Sequence, residues 1–326
     1  MEKNNAILID FNPPNKWKFF EGLNKNNDWT IEKCVANGSQ KNAFRNIVRI
    51  LKYFLFPLKI ILFKKKYKKI VAWQQFYGLF MCFFLQLFHL KYNPEIVILT
   101  FIFKEKKGII GKVYKKFIKK SLGYKNLKKI VVLSSYEIEY YSTLFGIKKN
   151  NFCFFHIACD EKAKFKISKG DYFVSAGRSN RDYSFLINVF SKLQNEKLII
   201  ISDKYKNENA TKNVTILNDC FGDNYENLLA KSFAIIVSLD DKPISSGQLV
   251  INDAIKYKKP VIATFNLGIV DYISNNENGI LINKNFNDMN EAINKLKNKS
   301  FYYKLSNSNK KYSEFEYGRN VLNLLI

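Results

Sequence analysis

The chain alternates between short apolar runs and longer segments with helical periodicity. Short apolar runs are typical of buried strands. In the first half they lie at residues 6–9, 69–73, 95–101, 130–133 and 152–155. A second series lies at residues 172–177, 197–202, 214–217, 233–239, 261–263 and 279–282. Helical stripes separate many of these runs, at residues 77–90, 113–122, 183–193, 249–257 and 287–296. Strands that alternate with helices predict an α/β protein with doubly wound parallel sheets.

The series of runs restarts after a polar stretch, and this restart predicts two domains. A chain of 326 residues is long enough for two α/β cores. We expect an N-terminal Rossmann-like domain over residues 1–160 and a C-terminal one over 161–326. His156 to Asp160 would cross between them, and lysines between 162 and 169 would form a linker. A terminal helix is predicted at about 312–325.

Composition narrows the class of protein. Apolar residues make up 47% of the chain and aromatic residues 16%, which excludes a disordered protein. The five cysteines are scattered without metal or redox spacing, as expected in a reducing cytoplasm: Cys34, Cys82, Cys153, Cys159 and Cys220. With two histidines in the chain, a zinc site is not expected, and we predict neither a metal nor a cofactor. The first apolar run ends at Asp10, so no signal peptide is expected.

Positive charge is concentrated in the first half. Residues 1–160 hold 29 Lys+Arg and 10 Asp+Glu, a balance of +19, whereas residues 161–326 hold 24 and 18, a balance of +6. This asymmetry predicts an anionic partner, either a membrane surface, a lipid phosphate or a nucleic acid. A nucleic-acid-binding α/β protein is therefore the alternative function. No nucleic-acid motif is recognisable and the charge is interleaved with apolar runs, so we expect no nucleic acid partner.

Residues 44–63 are predicted to form an amphipathic helix. Arg45, Arg49, Lys52 and Lys59 share one face, apolar residues occupy the other, and a lysine-rich run follows at residues 64–69. This composition is typical of a helix that lies in the plane of a membrane. The alternative is a core helix with a solvated basic face. Pro57 should kink or break the helix. We expect residues 44–69 to bind an anionic membrane surface and to hold the protein on its inner, cytoplasmic face.

Residues 70–90 form a stretch of 21 residues without a formally charged side chain, apart from His89 when it is protonated. This length matches a spanning helix. The repeating βα pattern favours a strand followed by a buried helix instead.

The segment from 245 to 273 carries the most specific chemistry. Ser245, Ser246 and Gly247 precede a predicted helix that Pro260 follows. The N-terminus of a helix offers unpaired N–H groups and a positive dipole end, which suit a phosphate. Asp253 lies about two turns further on the same face. A second helix is expected to begin between 268 and 271.

This segment resembles the donor-binding segment of GT-B glycosyltransferases, in particular glycosyltransferase family 4. Asp253-Ala254-Ile255, followed by the run from Lys259 to Thr264, is similar to the second half of the family pattern. Ser245 stands where the family has a glutamate, so the donor-sugar role of that glutamate is not carried over. Asp240 and Asp241 are the candidates to substitute for it, and a solvated loop is the favoured alternative. The resemblance implies two Rossmann-like domains that face each other across a cleft. It also implies that Asp253 binds the ribose of a nucleotide-sugar.

A second matching stretch lies at residues 172–182. The resemblance implies that Gly177-Arg178 and Arg181 grip the donor diphosphate. Arginine side chains match phosphate oxygens in shape and charge. With Ser245, Ser246, Gly247, Gln248 and Asp253, these residues complete the predicted nucleotide-sugar site. Phe221 and Tyr225 are possible stacking partners for the base.

The predicted function is transfer of a sugar from a nucleotide-sugar to a lipid-linked or membrane-presented glycan, in cell-surface polysaccharide or lipooligosaccharide assembly. The resemblance implies a metal-independent reaction that retains the anomeric configuration. An inverting reaction would require a carboxylate base. Asp10 and Glu137, which follow predicted strands, are the candidates. A turn at Asp10 and a helix cap at Glu137 are the structural alternatives.

Overall fold

The computed structural model describes residues 4–35, 43–63, 66–159, 162–206, 211–240, 244–308 and 312–326. The chain divides into two compact units. The first unit comprises residues 1–155 and 314–326, and the second comprises residues 156–313. The last helix of the chain therefore belongs to the first unit.

The first unit is a six-stranded parallel sheet with helices on both faces. Its strands lie in the order β2-β1-β3-β4-β5-β6. The strands are β1 (Asn5–Ile9), β2 (Trp29–Lys33), β3 (Lys69–Ala72), β4 (Glu95–Ile98), β5 (Leu127–Val132) and β6 (Phe152–Phe154). The helices are α1 (Lys18–Leu23), α2 (Ala43–Phe63), α3 (Gln75–Leu87), α4 (Gly108–Leu122) and α5 (Tyr136–Phe145), with a short 3₁₀ helix at Lys149–Asn151. The final helix of the chain, α11 (Glu314–Asn323), packs on α1.

The second unit repeats this architecture. Its six parallel strands lie in the order β12-β11-β10-β7-β8-β9. The strands are β7 (Tyr172–Ala176), β8 (Lys197–Ile201), β9 (Val214–Leu217), β10 (Ala234–Val237), β11 (Val261–Thr264) and β12 (Ile280–Ile282). The helices are α6 (Tyr183–Lys192), α7 (Gly222–Lys231), α8 (Gln248–Lys256), α9 (Phe286–Lys297) and α10 (Lys299–Asn307). Both sheets confirm the predicted class of doubly wound parallel sheets.

Helix α2 continues through Pro57, so of the two predicted effects of the proline, a kink or a break, the break does not occur. Phe56 precedes the proline and Ile60 and Ile61 follow it, and all three side chains are buried in the core. Their packing on both sides of Pro57 outweighs the one hydrogen bond that proline removes.

The uncharged stretch at residues 70–90 contains most of strand β3 and all of helix α3, as the βα pattern predicts. Helix α3 has 13 residues, about 20 Å at the usual rise, against about 30 Å for a bilayer core. Within the part of the chain that the structure describes, no helix combines the length and the apolar character that a bilayer crossing requires.

The second helix predicted between 268 and 271 is wrong, because residues 267–272 form turns. Asparagine side chains compete with helical hydrogen bonds here. The Asn266 carboxamide oxygen accepts a hydrogen bond from the Gly268 N–H at 2.9 Å. Asn278 uses its side chain to bond the backbone of both Ser274 and Tyr272. The chain is therefore held in turns until β12 begins.

Lys259 precedes strand β11 and is almost fully buried. Its ammonium group donates hydrogen bonds to the carbonyl oxygens of Ser168 and Ser232, each at 2.7 Å. Burial lowers the pKa of Lys259 to about 8. The lysine thus connects three segments of the second unit, and its burial makes the charged form less favourable.

This burial predicts a pH-dependent stability. An unfolded lysine keeps its proton up to a pH of about 10.4, whereas folded Lys259 releases it near the lower pKa of about 8. Between these values the unfolded state binds more protons, so the free energy of unfolding should rise with pH by up to about 1.4 kcal/mol per unit. In the Lys259→Met variant the free energy of unfolding should not show this rise with pH. Urea unfolding of both proteins across that window measures it, and parallel pH profiles would contradict the assignment.

Candidate functional site

The loop between β7 and α6 lies at the carboxyl end of β7, one of the two middle strands of the second sheet. Gly177 has a φ of +128°, a conformation that favours glycine. Its carbonyl oxygen accepts a hydrogen bond from the Tyr183 hydroxyl at 2.7 Å. The Asp182 carboxylate caps α6 by accepting from the Phe185 N–H at 3.0 Å. Loops at the carboxyl ends of parallel strands form the ligand side of such sheets.

Arg181 fastens this loop to the beginning of α8. Its guanidinium donates to the carbonyl oxygens of Ala176 at 2.9 Å and Ser179 at 2.8 Å. It also donates to the Ser246 hydroxyl at 2.8 Å, and that hydroxyl donates to the Ser179 carbonyl at 2.9 Å. Burial lowers the pKa of Arg181. With three protein acceptors already bonded, Arg181 positions the loop and the helix tip relative to each other.

Arg178 is the more accessible of the two arginines. Its side chain is 42% exposed, and its Nε lies 2.8 Å from a carboxylate oxygen of the well-buried Asp203. The guanidinium carbon lies 5.7 Å from the ring centre of Phe221, which is itself exposed. Asp203 and Phe221 follow strands β8 and β9, so three neighbouring strand ends contribute to this cluster. The exposed part of the Arg178 guanidinium can bind an anion.

Gly247 is the N-cap residue of α8 and has a φ of +95°. A Cβ at Gly247 would lie 2.7 Å from the Val237 side chain, so this position excludes larger residues. The tight turn allows a ligand to approach the backbone N–H groups of the first helical turn.

Two predicted site residues are buried beneath this tip. Ser245 is 6% exposed and Gln248 is 3% exposed. The Gln248 side chain donates to the Gly268 carbonyl at 3.0 Å. Gln248 therefore offers a ligand its backbone N–H, because its amide group is turned into the protein.

Asp253 lies further along α8 and is half-buried. The Tyr225 hydroxyl of α7 donates a hydrogen bond to one of its carboxylate oxygens at 2.7 Å. Burial, with the charge of Asp253 as a second cause, raises the pKa of Tyr225. The sequence pointed to Tyr225 only as a stacking partner for a base. The structure identifies it as the residue that orients Asp253.

Asp253→Asn should weaken nucleoside diphosphate binding by about 1.5–3 kcal/mol, the range for hydrogen bonds to a charged group. The substitution keeps the size of the side chain, so the folded state should persist. Calorimetry measures the affinity. Inorganic pyrophosphate, which lacks a ribose, is the control ligand and should bind both proteins equally. Equal nucleoside diphosphate affinities would refute the ribose role.

In the first unit, the two candidate bases have different environments. Asp10 follows β1, is partly exposed and accepts a hydrogen bond from the Gln74 amide at 2.9 Å. Glu137 of α5 is fully buried. Its carboxylate accepts from the Leu133 N–H at 3.0 Å and from the Tyr141 hydroxyl at 3.2 Å. These contacts indicate a structural role for Glu137, because its carboxylate is buried and a substrate cannot reach it in this conformation. Asp10 keeps its accessibility.

Three further polar residues from the sequence either have structural contacts or lie outside the described residues. His156 Nε2 lies 2.8 Å from the Asp271 carbonyl oxygen, and its ring stacks on Tyr312 at 4.0 Å. Asp240, a possible substitute for the missing glutamate, bonds through its backbone to Asn180 and Asn266. Asp241, the other possible substitute, lies outside the described residues.

One family model matches part of the second unit. Residues 170–299 match the family model described as glycosyl transferases group 1. The match confirms the resemblance to the group 1 glycosyltransferases. It covers the loop of Gly177, the tip of α8 and Asp253, so the site described above lies inside the glycosyltransferase match. A search of curated proteins found no match.

Solved structures show that the whole chain has the GT-B glycosyltransferase fold. HepE from Anabaena, in complex with UDP, has a TM-score of 0.67 at 11% identity, over 100% of this chain and 99% of that one. A glycosyltransferase from Rickettsia africae has a TM-score of 0.60 at 16% identity, over 99% and 96%. Sucrose-phosphate synthase from Thermosynechococcus elongatus has a TM-score of 0.65 at 14% identity, over 98% and 94%. At these identities the likeness establishes the fold.

Proposed function

We propose that this protein transfers a sugar from a nucleotide-sugar donor to a membrane-presented or lipid-linked glycan, in the assembly of cell-surface polysaccharide or lipooligosaccharide. The observation that carries the proposal is the cluster at the strand ends of the second unit. There Arg178 is exposed, and it belongs to the loop that Arg181 and Ser246 connect to the tip of α8. Among the similar structures, HepE was solved with UDP and with UDP-glucose, which supports a donor of this class.

The cluster favours departure of a nucleoside diphosphate. Negative charge develops on the diphosphate as the bond to the sugar breaks. Arg178 and the N–H groups at the tip of α8 would stabilise that charge, while Arg181 and Ser246 hold the tip in place. Asp253, oriented by Tyr225, would bind the ribose.

The reaction would proceed without a metal or another cofactor, because the positive groups at the site supply the charge stabilisation. Resemblance to the family favours retention of the anomeric configuration. If the reaction inverts, Asp10 is the candidate general base, since its carboxylate is accessible and that of Glu137 is buried.

The acceptor would bind the basic N-terminal unit at an anionic membrane surface. The balance of +19 over residues 1–160 supports this location. Residues 44–69, with helix α2, would contact the inner face of the membrane. Of the lysine run after α2, Lys64 and Lys65 lie outside the described residues and Lys66 is exposed. The protein would then act as a peripheral enzyme.

Incubation with isotopically labelled nucleotide-sugars tests the activity. The purified protein should transfer label from one of them to material in a membrane lipid extract and release the nucleoside diphosphate. Arg178→Ala should abolish most of this transfer, whereas Arg319→Ala, which removes an exposed arginine of the first unit, should not. Absence of transfer from every nucleotide-sugar, with the folded state intact, would refute the proposal.

A further inference from the structure

The outer side of helix α2 is apolar and exposed. The sequence left two possibilities, an apolar face packed in the core or one left for a membrane. The structure places Phe56, Ile60 and Ile61 in the core and leaves another apolar stripe in solvent. This stripe consists of Phe44, Ile47, Leu51, Phe54, Leu55 and Leu62, which are 40–72% exposed. Such contiguous apolar exposure is rare on a monomer and marks an interaction site.

The stripe continues onto neighbouring helices of the same layer. Helix α3 contacts both α2 and α4. The ring of Phe54 lies 5.5 Å from that of Phe80 in α3, which lies 4.7 Å from that of Phe117 in α4. The beginning of α4 adds Ile109, Ile110 and Val113, which are 61–81% exposed. We call the six α2 residues and these three α4 residues the outer apolar face.

Exposed cations lie on the helices that carry this face. Lys59 on α2 and Lys112 and Lys116 on α4 are all exposed. The first half of the chain also has a balance of +19. A second copy of the chain would bring two such positive surfaces together, which opposes self-association. A bilayer with anionic lipids satisfies both features, because the apolar side chains enter the acyl region and the lysines meet the headgroups.

We propose that the outer apolar face inserts into an anionic bilayer, so that insertion of side chains, and not charge alone, holds the protein on the membrane. This inference rests on the proposed membrane-presented acceptor. Insertion predicts a different effect of salt on membrane binding from the effect that charge alone predicts. Attraction by lysines alone is screened over about 8 Å at physiological salt and would be lost at high salt. Burial of apolar side chains is not screened, so part of the protein should stay bound.

Vesicle flotation tests the proposal. Wild-type protein is mixed with vesicles of phosphatidylcholine alone, or of phosphatidylcholine with phosphatidylglycerol, at low and at high NaCl. We expect binding to the anionic vesicles, with a substantial bound fraction remaining at high salt. The triple variant Ile47→Ser, Leu51→Ser and Ile110→Ser should reduce partitioning at least about tenfold, the factor for burying one large aliphatic side chain. All three positions are exposed, so folding should be unaffected, as circular dichroism can check.

A matched control replaces exposed apolar residues elsewhere. Ile167→Ser, Phe315→Ser and Ile326→Ser remove three exposed side chains outside the outer apolar face and should leave vesicle binding unchanged. Complete release of the wild type by salt would overturn insertion, as would equal binding by the apolar variant. A dimer in sedimentation that the apolar variant abolishes would assign the face to a second copy instead.

The two proposals fail separately. Nucleoside diphosphate binding is measured by calorimetry in the absence of vesicles. Intact nucleotide affinity with salt-sensitive or absent vesicle binding would refute insertion alone. Vesicle binding without any nucleotide affinity would refute the glycosyltransferase proposal while leaving insertion standing.

Discussion

Replacing Arg178 by alanine is expected to weaken binding of a nucleoside diphosphate by about 1.5–3 kcal/mol, or roughly 10- to 150-fold. Arg178 is the accessible arginine at the strand ends of the second unit, with its Nε held by Asp203. An arginine fork can bond two phosphate oxygens at once. The side chain is 42% exposed, so its removal should change stability little. Isothermal calorimetry measures the affinity.

Two variants separate phosphate binding from a local structural effect. Arg319→Ala removes an exposed, ion-paired arginine of the first unit and should leave nucleotide affinity unchanged. Asp203→Asn removes the partner of Arg178 but keeps the guanidinium, so it should weaken binding less than Arg178→Ala does. If Asp203→Asn weakens nucleotide binding as much as Arg178→Ala does, the ion pair between Arg178 and Asp203 would contribute only to the structure of the loop. Unchanged affinity in a folded Arg178→Ala protein would show that the diphosphate binds elsewhere.

Arg181→Met is expected to reduce the stability of the fold more than Arg178→Ala does. The substitution removes hydrogen bonds to two carbonyl oxygens and to the Ser246 hydroxyl, in a partly buried position. Loss of such bonds should lower the free energy of unfolding by about 3 kcal/mol or more. Nucleotide affinity should fall as well, because the tip of α8 is no longer tied to the loop after β7. Urea unfolding and calorimetry on the same samples measure both effects.

Ser246→Ala is the graded comparison for this position. It removes one of the contacts and keeps the guanidinium, so the loss of stability should be about 1 kcal/mol. If Arg181→Met folds with wild-type stability but loses nucleotide affinity, Arg181 binds the phosphate directly and the positioning role is wrong. If both stability and affinity persist, neither role holds.

The fold was largely predictable because buried parallel strands read as continuous apolar runs. Strand β2, with the sequence WTIEK, escaped prediction because it is an edge strand with polar residues at three of five positions. Helix α1 has six residues and α10 has a polar sequence, so neither gave a clear helical stripe. The turns after Asn266 replaced a predicted helix, because asparagine side chains outcompete helical hydrogen bonds there.

The candidate site was predictable in its location but not in its internal contacts. The resemblance to the family located Arg178 and Asp253, and the pattern of a helix N-terminus located Gly247. No local pattern indicated that Arg181 bonds Ser246, 65 residues away, or that Tyr225 bonds Asp253, 28 residues away. Such contacts depend on which strands are neighbours in the sheet. For the same reason the sequence could not show that Glu137 and Gln248 turn into the protein.

The exposure of the outer apolar face could not be predicted from the sequence either. The helical stripe of α2 was evident from spacing, but the same pattern suits a core helix and a membrane helix. Only the exposure of Ile47, Leu51 and Phe54 in the structure separates the two.

Calorimetric titration of the wild-type protein with a panel of nucleoside diphosphates tests most directly whether the second unit binds a nucleotide, with inorganic pyrophosphate as the ligand without a nucleoside. We expect one-to-one binding of at least one nucleoside diphosphate, and weaker binding of it by Arg178→Ala and by Asp253→Asn. Pyrophosphate should bind more weakly, with an affinity that Asp253→Asn leaves unchanged. Absence of binding by every nucleoside diphosphate, or binding that both substitutions leave at the wild-type affinity, would contradict it.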